Sequence, residues 1–170
     1  MPRDFSEHDI STDRLDLLPL RVEHAGEMAA VLSDPALHTF IGGEPDDEQA
    51  LRSRYERMTA GSPDPAVTWL NWVIRLREEG ALTGTVQATV TSGPVAEVGW
   101  VVGTPWQGRG IAREAVGGLV DWLHSQEMRS VVAHVHPDHA ASAAVAAAAG
   151  LLPTDERQDG EIRWRRDLSP

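Results

Sequence analysis

One stretch of this 170-residue chain constrains its fold more than any other. Glu97-Val98-Gly99-Trp100-Val101-Val102 reads as a strand, and Gly103–Gly110 reads as a loop rich in glycine. Ile111, Ala115, Leu119 and Leu123 then recur every fourth residue, with Val116 and Val120 beside them, which makes one apolar helix face. A strand therefore runs into a glycine loop that opens a helix. The first turn of a helix carries unpaired N–H groups and the positive end of the dipole, so it attracts anions. Gly108 and Gly110 have no side chain to keep a phosphate off the backbone, Ala112 adds little bulk, and Arg109 can add positive charge. The same glycines would also serve a plain strand-to-helix turn.

The pattern on either side narrows the architecture. Arg14–Leu20 reads as a first strand. Val22–Leu32 and Asp46–Met58 read as helices, the second capped by Asp46 or Asp47. Trp69–Leu76, Leu82–Thr91 and Ala96–Val102 form an antiparallel meander, with turns at Glu79-Gly80 and Ser92-Gly93-Pro94. After the helix at Ile111 come a strand at Val131–Val135 and an alanine-rich helix over Asp138–Ala149, closed by Gly150. A short strand starts at Leu151-Leu152. Asp159-Gly160 turns the chain, and Ile162–Arg166 returns as the last strand. The predicted class is α/β (α+β), a mixed and mainly antiparallel sheet flanked by helices in one domain over residues 1–170.

Composition removes several chemistries. The chain has no cysteine, and its 15 basic residues are all arginine. A thiolate nucleophile, a Schiff-base lysine and the lysine of an NTP-binding loop are thereby excluded. A dinucleotide fingerprint would follow the first strand of a parallel sheet, whereas this loop follows a meander, so elimination leaves another diphosphate. The formal charge of −11 argues against nucleic acid as a partner, because the arginines are scattered. An acidic surface would attract a cationic acceptor such as an amine, or simply keep the protein dissolved. No apolar run is long enough to span a bilayer, and Met1–Phe5 leads into no apolar signal core, so a cytoplasmic protein is expected.

Gln107-Gly108-Arg109-Gly110-Ile111-Ala112 resembles the GNAT acetyltransferase pattern Gln/Arg-x-x-Gly-x-Gly/Ala, matching it at Gln107, Gly110 and Ala112. Three further segments resemble the RimJ/RimL branch, which acetylates the N-termini of ribosomal proteins. They are Thr12-Asp13-Arg14-Leu15-Asp16-Leu17, Leu82-Thr83-Gly84 and Arg163-Trp164-Arg165-Arg166-Asp167-Leu168. The resemblance implies a GNAT fold with acetyl-CoA as cosubstrate. Backbone of Trp100, Val101 and Val102 would pair with the pantetheine arm, and N–H groups of Gln107–Ala112 would hold the pyrophosphate. A bulge in the Ala96–Val102 strand would splay it from Val131–Val135. The acetyl group would pass by direct attack to a primary amine, either a protein N-terminus or a small molecule. A second copy of the chain in a homodimer is the other conceivable partner. A CoA-binding module without catalysis is the alternative.

Some positions depart from the family. Its cofactor-binding Asn is His139 here, which can still donate one hydrogen bond, while Ser142 matches the family's Ser. Ser142 could protonate the leaving thiolate or bond back to its own helix. A Tyr acid is not expected, because Ala146–Ala149 fills that part of the helix and the single Tyr is Tyr55. Glu97, acting through water, is the first candidate for the base that deprotonates the amine, and His134 is the second. Glu97 could equally be a solvated strand end, and His134 a structural histidine. His134, His136 and His139 lack a matching carboxylate motif, so no metal is expected. Trp69, Trp72, Trp100 and Trp106 are expected in the core, with the acceptor cleft as the alternative place for Trp69 or Trp106.

Overall fold

The computed structural model describes residues 8–40, 42–91 and 93–168. Ser92 of the second meander turn and the Met1–Phe5 segment lie outside these residues. Strands β1 (Ile10–Ser11) and β2 (Leu15–Pro19) are followed by helices α1 (Ala25–Val31) and α2 (Glu48–Ala60). The meander is β3 (Thr68–Leu76), β4 (Ala81–Val90) and β5 (Val95–Val102). Helix α3 (Ile111–Ser125), strand β6 (Ser130–Val135), helix α4 (Ala140–Ala148) and the hairpin of β7 (Leu152–Gln158) and β8 (Glu161–Asp167) complete the chain. The eight strands form one sheet in the order β1-β2-β3-β4-β5-β6-β8-β7. Every pairing is antiparallel except β5 with β6.

The two sheet faces are filled differently. Alternation sends Leu70, Trp72 and Ile74 of β3, Ala96 and Val98 of β5, and Val131 and Ala133 of β6 to one face. There they bury the apolar stripe of α3 (Ile111, Ala115, Leu119, Leu123) and Ala146 of α4. Val73 and Leu82 lie in a second cluster with Met28 of α1 and with Leu51 and Tyr55 of α2. Asp47 caps α2, its carboxylate accepting from the backbone N–H of Ala50 at 2.8 Å.

The central meander, both late helices and the Asp159-Gly160 turn form where the pattern places them. Both turn residues have positive φ (52° and 82°), which suits a tight hairpin. Four expectations are corrected. β1 is an additional strand, too short to show a period. β7 runs seven residues instead of starting a short strand, and all but one of them are exposed. Because this edge strand packs neither face, it carries no apolar alternation. Trp69 is half-buried and joins neither apolar cluster, whereas Trp72 is fully buried. The helices cover the Val73 end of that face, and Trp69 lies four residues away on the same face.

The fourth correction concerns the splay. The β4–β5 ladder runs in continuous register from Gly84↔Val102 to Val90↔Ala96, so β5 carries no bulge against β4. The strands part all the same: β5 pairs with β6 only at Val95↔Ser130, Ala96↔Val131 and Glu97↔Val132. β6 stays paired to β8 along its full length, from Ser130↔Asp167 to Val135↔Ile162. Each strand is therefore held by its outer neighbour while the inner ladder ends, and the sheet's twist is free to separate them.

Candidate active site

Beyond Glu97, the β6-facing edge of β5 has no ladder partner among the described residues. Trp100, Val101 and Val102 lie on this stretch, each paired on the other side to β4. An unpaired strand edge offers N–H and C=O groups to an extended, amide-bearing molecule. Val102 ends the strand, and its carbonyl accepts a hydrogen bond from Gln107 Nε2 at 3.0 Å. Gln107 thus ties the loop back to the strand it leaves.

The loop opens the helix on bare backbone. Gly108 and Gly110 both have φ of +77°, and Gly110 is the N-cap of α3 with no side-chain cap. The N–H groups of the first turn are therefore not satisfied by a capping side chain. Ile111 is anchored in the core, while Ala112 is half-buried beside it. These two side chains fix the helix start, whose first turn carries no side-chain cap.

Arg109 is not a free cation. Its Nη2 donates to Glu79 Oε2 at 2.8 Å, and Trp106 Nε1 donates to the other Glu79 oxygen at 3.1 Å. The Arg109 hydrogen bond first, and that of Trp106 second, hold the Glu79 carboxyl below its usual range. Arg14 braces the loop from the other side. It donates to the Arg109 carbonyl at 2.9 Å and forms an ion pair with Glu114 at 2.7 Å. Burial pushes the Glu114 carboxyl up, but hydrogen bonds from Thr12 and Arg14 bring it below the usual value. Sequence reasoning passed over Glu79 and Glu114. Arg14 stood within a family-like segment without an assigned role, and nothing local to Glu79 signals that it meets a loop 27 residues away.

Glu97 and His134, named separately from sequence, meet where the β5–β6 ladder ends, His134 lying two residues beyond Val132, the partner of Glu97 in the last rung. His134 Nδ1 lies 2.6 Å from Glu97 Oε1. The His134 side chain is 8% exposed and that of Glu97 47%. Glu97 shares a cross-strand row with Thr89 and Trp69, so Trp69 faces the same side of the sheet as the pair.

His139 and Ser142 are joined at the start of α4. His139 Nδ1 accepts from the Ser142 backbone N–H at 3.3 Å, and its Nε2 lies 3.1 Å from Ser142 Oγ. His139 thereby caps the helix, as a side chain at that position can. Phe40 stacks on His139 (4.4 Å between centroids) and tilts against His136 at 5.0 Å. Burial first, and the nearby His136 second, keep the His139 imidazole below its ordinary value. Tyr55 is elsewhere: its phenol, pushed up to about 12 by burial, packs on α2 in the second cluster. Among the described residues no helix is long and apolar enough to cross a membrane, and no group of three or more His, Cys, Asp or Glu could hold a metal ion.

The sequence matches the acetyltransferase (GNAT) domain family over residues 14–152. No curated protein matches it. Among solved structures, an acetyltransferase from Agrobacterium tumefaciens str. C58 is 27% identical with a TM-score of 0.74, covering 98% of each chain. A GNAT-family acetyltransferase from Bacillus anthracis is 16% identical with a TM-score of 0.79, over 95% of this chain and 99% of that one. RimJ of Mycobacterium smegmatis, in complex with CoA-disulfide, is 20% identical with a TM-score of 0.74, over 90% of this chain and 81% of that one. The last two likenesses are of fold. With the family match spanning most of its length, the chain belongs to the GNAT acetyltransferase family and is an N-acetyltransferase.

Proposed function

We propose that this enzyme moves the acetyl group of acetyl-CoA to a primary amine by direct attack, without an acyl-enzyme. The observation that carries the reading is the open β5 edge leading into a helix whose N-cap is a left-handed glycine. The pantetheine arm would lie along Trp100–Val102 and the pyrophosphate on the N–H groups of Gln107–Ala112, with Gly108 leaving room for it. RimJ of Mycobacterium smegmatis, with the same fold, was solved with CoA-disulfide, which supports a CoA ligand here. His139 would contribute at the pantetheine through the edge of its ring, since Ser142 already engages both its nitrogens. Ser142 would offer its hydroxyl proton toward the leaving thiolate.

The chemistry asks for little more. A thioester is already activated, so the protein has to hold the two reactants together and remove a proton from the amine. Glu97 and His134, in contact at 2.6 Å, would take that proton. The three family-like segments at Thr12–Leu17, Leu82–Gly84 and Arg163–Leu168 favour the RimJ/RimL branch, with a protein N-terminus as acceptor in a cytoplasmic, single-domain protein. The test is thiol release from acetyl-CoA with peptides bearing free N-termini, aminoglycosides and polyamines. Peptides should turn over fastest. Activity should survive exhaustive EDTA treatment, because the step needs no Lewis acid. Thiol release that exceeds the acceptor-free rate with none of these amines would contradict the proposal.

A further inference from the structure

We infer that the proton acceptor is His134, through Nε2, and that Glu97 is its positioning partner. The inference rests on the acetyl-transfer reading above and assigns the roles within it. The carboxylate of Glu97 can only accept a hydrogen bond, so the 2.6 Å contact places the proton of a neutral imidazole on Nδ1. Nε2 is left with its lone pair. That atom is buried and has no hydrogen-bond partner among the described residues. A buried acceptor in a folded protein ordinarily has a partner, so an orphan beside a carboxylate-held imidazole points to a bound water, a ligand or a catalytic role.

The position of the ring agrees. Glu97↔Val132 is the last rung of the β5–β6 ladder, and His134 is the next β6 residue on that face. It therefore stands where the strands have parted. Its own backbone stays fixed, because His134 pairs with Arg163 of β8. A rigid strand, a carboxylate fixing the tautomer and a buried, unpaired lone pair where the β5–β6 ladder ends together make a preorganised base. Glu97 reaches solvent, with 47% of its side chain exposed, and suits the supporting role.

The step balances as follows. The acceptor's ammonium gives one proton to Nε2, and the freed lone pair attacks the acetyl carbonyl carbon. The C–N bond forms and the C–S bond breaks. Ser142 gives its hydroxyl proton to the departing sulfur, which leaves as thiol; a second nitrogen proton restores the Ser142 hydroxyl, and the imidazolium passes its proton to solvent. The nitrogen keeps one hydrogen as the amide.

Steady-state kinetics on three variants separates the roles. His134→Asn keeps a donor near the Nδ1 position for Glu97 and removes Nε2, so kcat should fall about a hundredfold, the low end for a general base. The KM for acetyl-CoA should move less than about threefold. Glu97→Gln still accepts from Nδ1, so its loss should stay within about tenfold, while Glu97→Leu, which cannot accept, should lose several times more. NMR of 15N-histidine-labelled protein should show the Nδ1–H tautomer at His134 in the wild type. A hundredfold loss in Glu97→Gln with a few-fold change in His134→Asn would make Glu97 the base and overturn the assignment. So would few-fold changes in all three, or an Nε2–H tautomer. A wild-type enzyme that releases no thiol with any amine would sink the acetyl-transfer reading itself, whereas active enzyme with unaffected variants sinks only this one.

Discussion

Gly110→Asp should weaken acetyl-CoA binding by at least about tenfold, a change of about 1.4 kcal/mol, in a protein that remains folded. Gly110 is the N-cap of α3 and has φ of +77°. Asp tolerates that conformation better than most residues and is a strong N-cap. A Cβ at this position would lie 3.4 Å from Arg14 Nη2, so the new carboxylate gains a cation as well. The left-handed φ strains any side chain placed here and lowers stability somewhat, but only the tip of Arg14 stands within 4 Å of the new Cβ, so the variant should still fold. What changes is the anion site: the carboxylate takes the first-turn N–H groups and repels a phosphate approaching them. Calorimetry reads the affinity and circular dichroism the fold. Unchanged affinity in a folded variant would show that the pyrophosphate sits elsewhere.

Gly84→Ala should destabilise the protein by about 3 kcal/mol, toward the upper end of overpacking costs. An ideal Cβ on Gly84 would stand 2.1 Å from the Val101 carbonyl oxygen and 2.9 Å from Val102 Cα. Both are backbone atoms of β5, held in the sheet by the β4 ladder, so neither can swing aside as a side-chain tip would. The two strands must part at the point where β5 enters the loop. Thermal unfolding should show a Tm lower by roughly 6–12 °C for a domain of this size. A Tm within about 1 °C of the wild type would mean that this approach relaxes at little cost.

The legible parts of this molecule are those governed by local period and turn chemistry. The α3 stripe, the meander and the Asp159-Gly160 turn follow from spacing and from residues that accept positive φ. The glycine loop was legible as a strand-to-helix turn, because glycines that accept positive φ stand where the chain must enter the helix. What stayed hidden depends on contacts between distant residues. Glu79 meets Arg109 across 30 positions, and Arg14 meets Glu114 across 100, with no local pattern recording either. Glu97 and His134 were each visible as titratable strand residues, yet their 2.6 Å contact follows from the parallel register of β5 and β6, which composition does not specify. β7 was read short because, exposed on both faces, it has no core to encode. The bulge expected in β5 came from family resemblance alone, and the register shows a ladder that simply ends.

We propose that acetyl-CoA lies along the open edge of β5 and over the start of α3. Amide hydrogen exchange with and without acetyl-CoA tests this most directly. Saturating acetyl-CoA should slow exchange in Val98–Val102 and in Gln107–Arg113, while α2 exchanges at an unchanged rate. Tight binding that leaves both of those segments unprotected would contradict it.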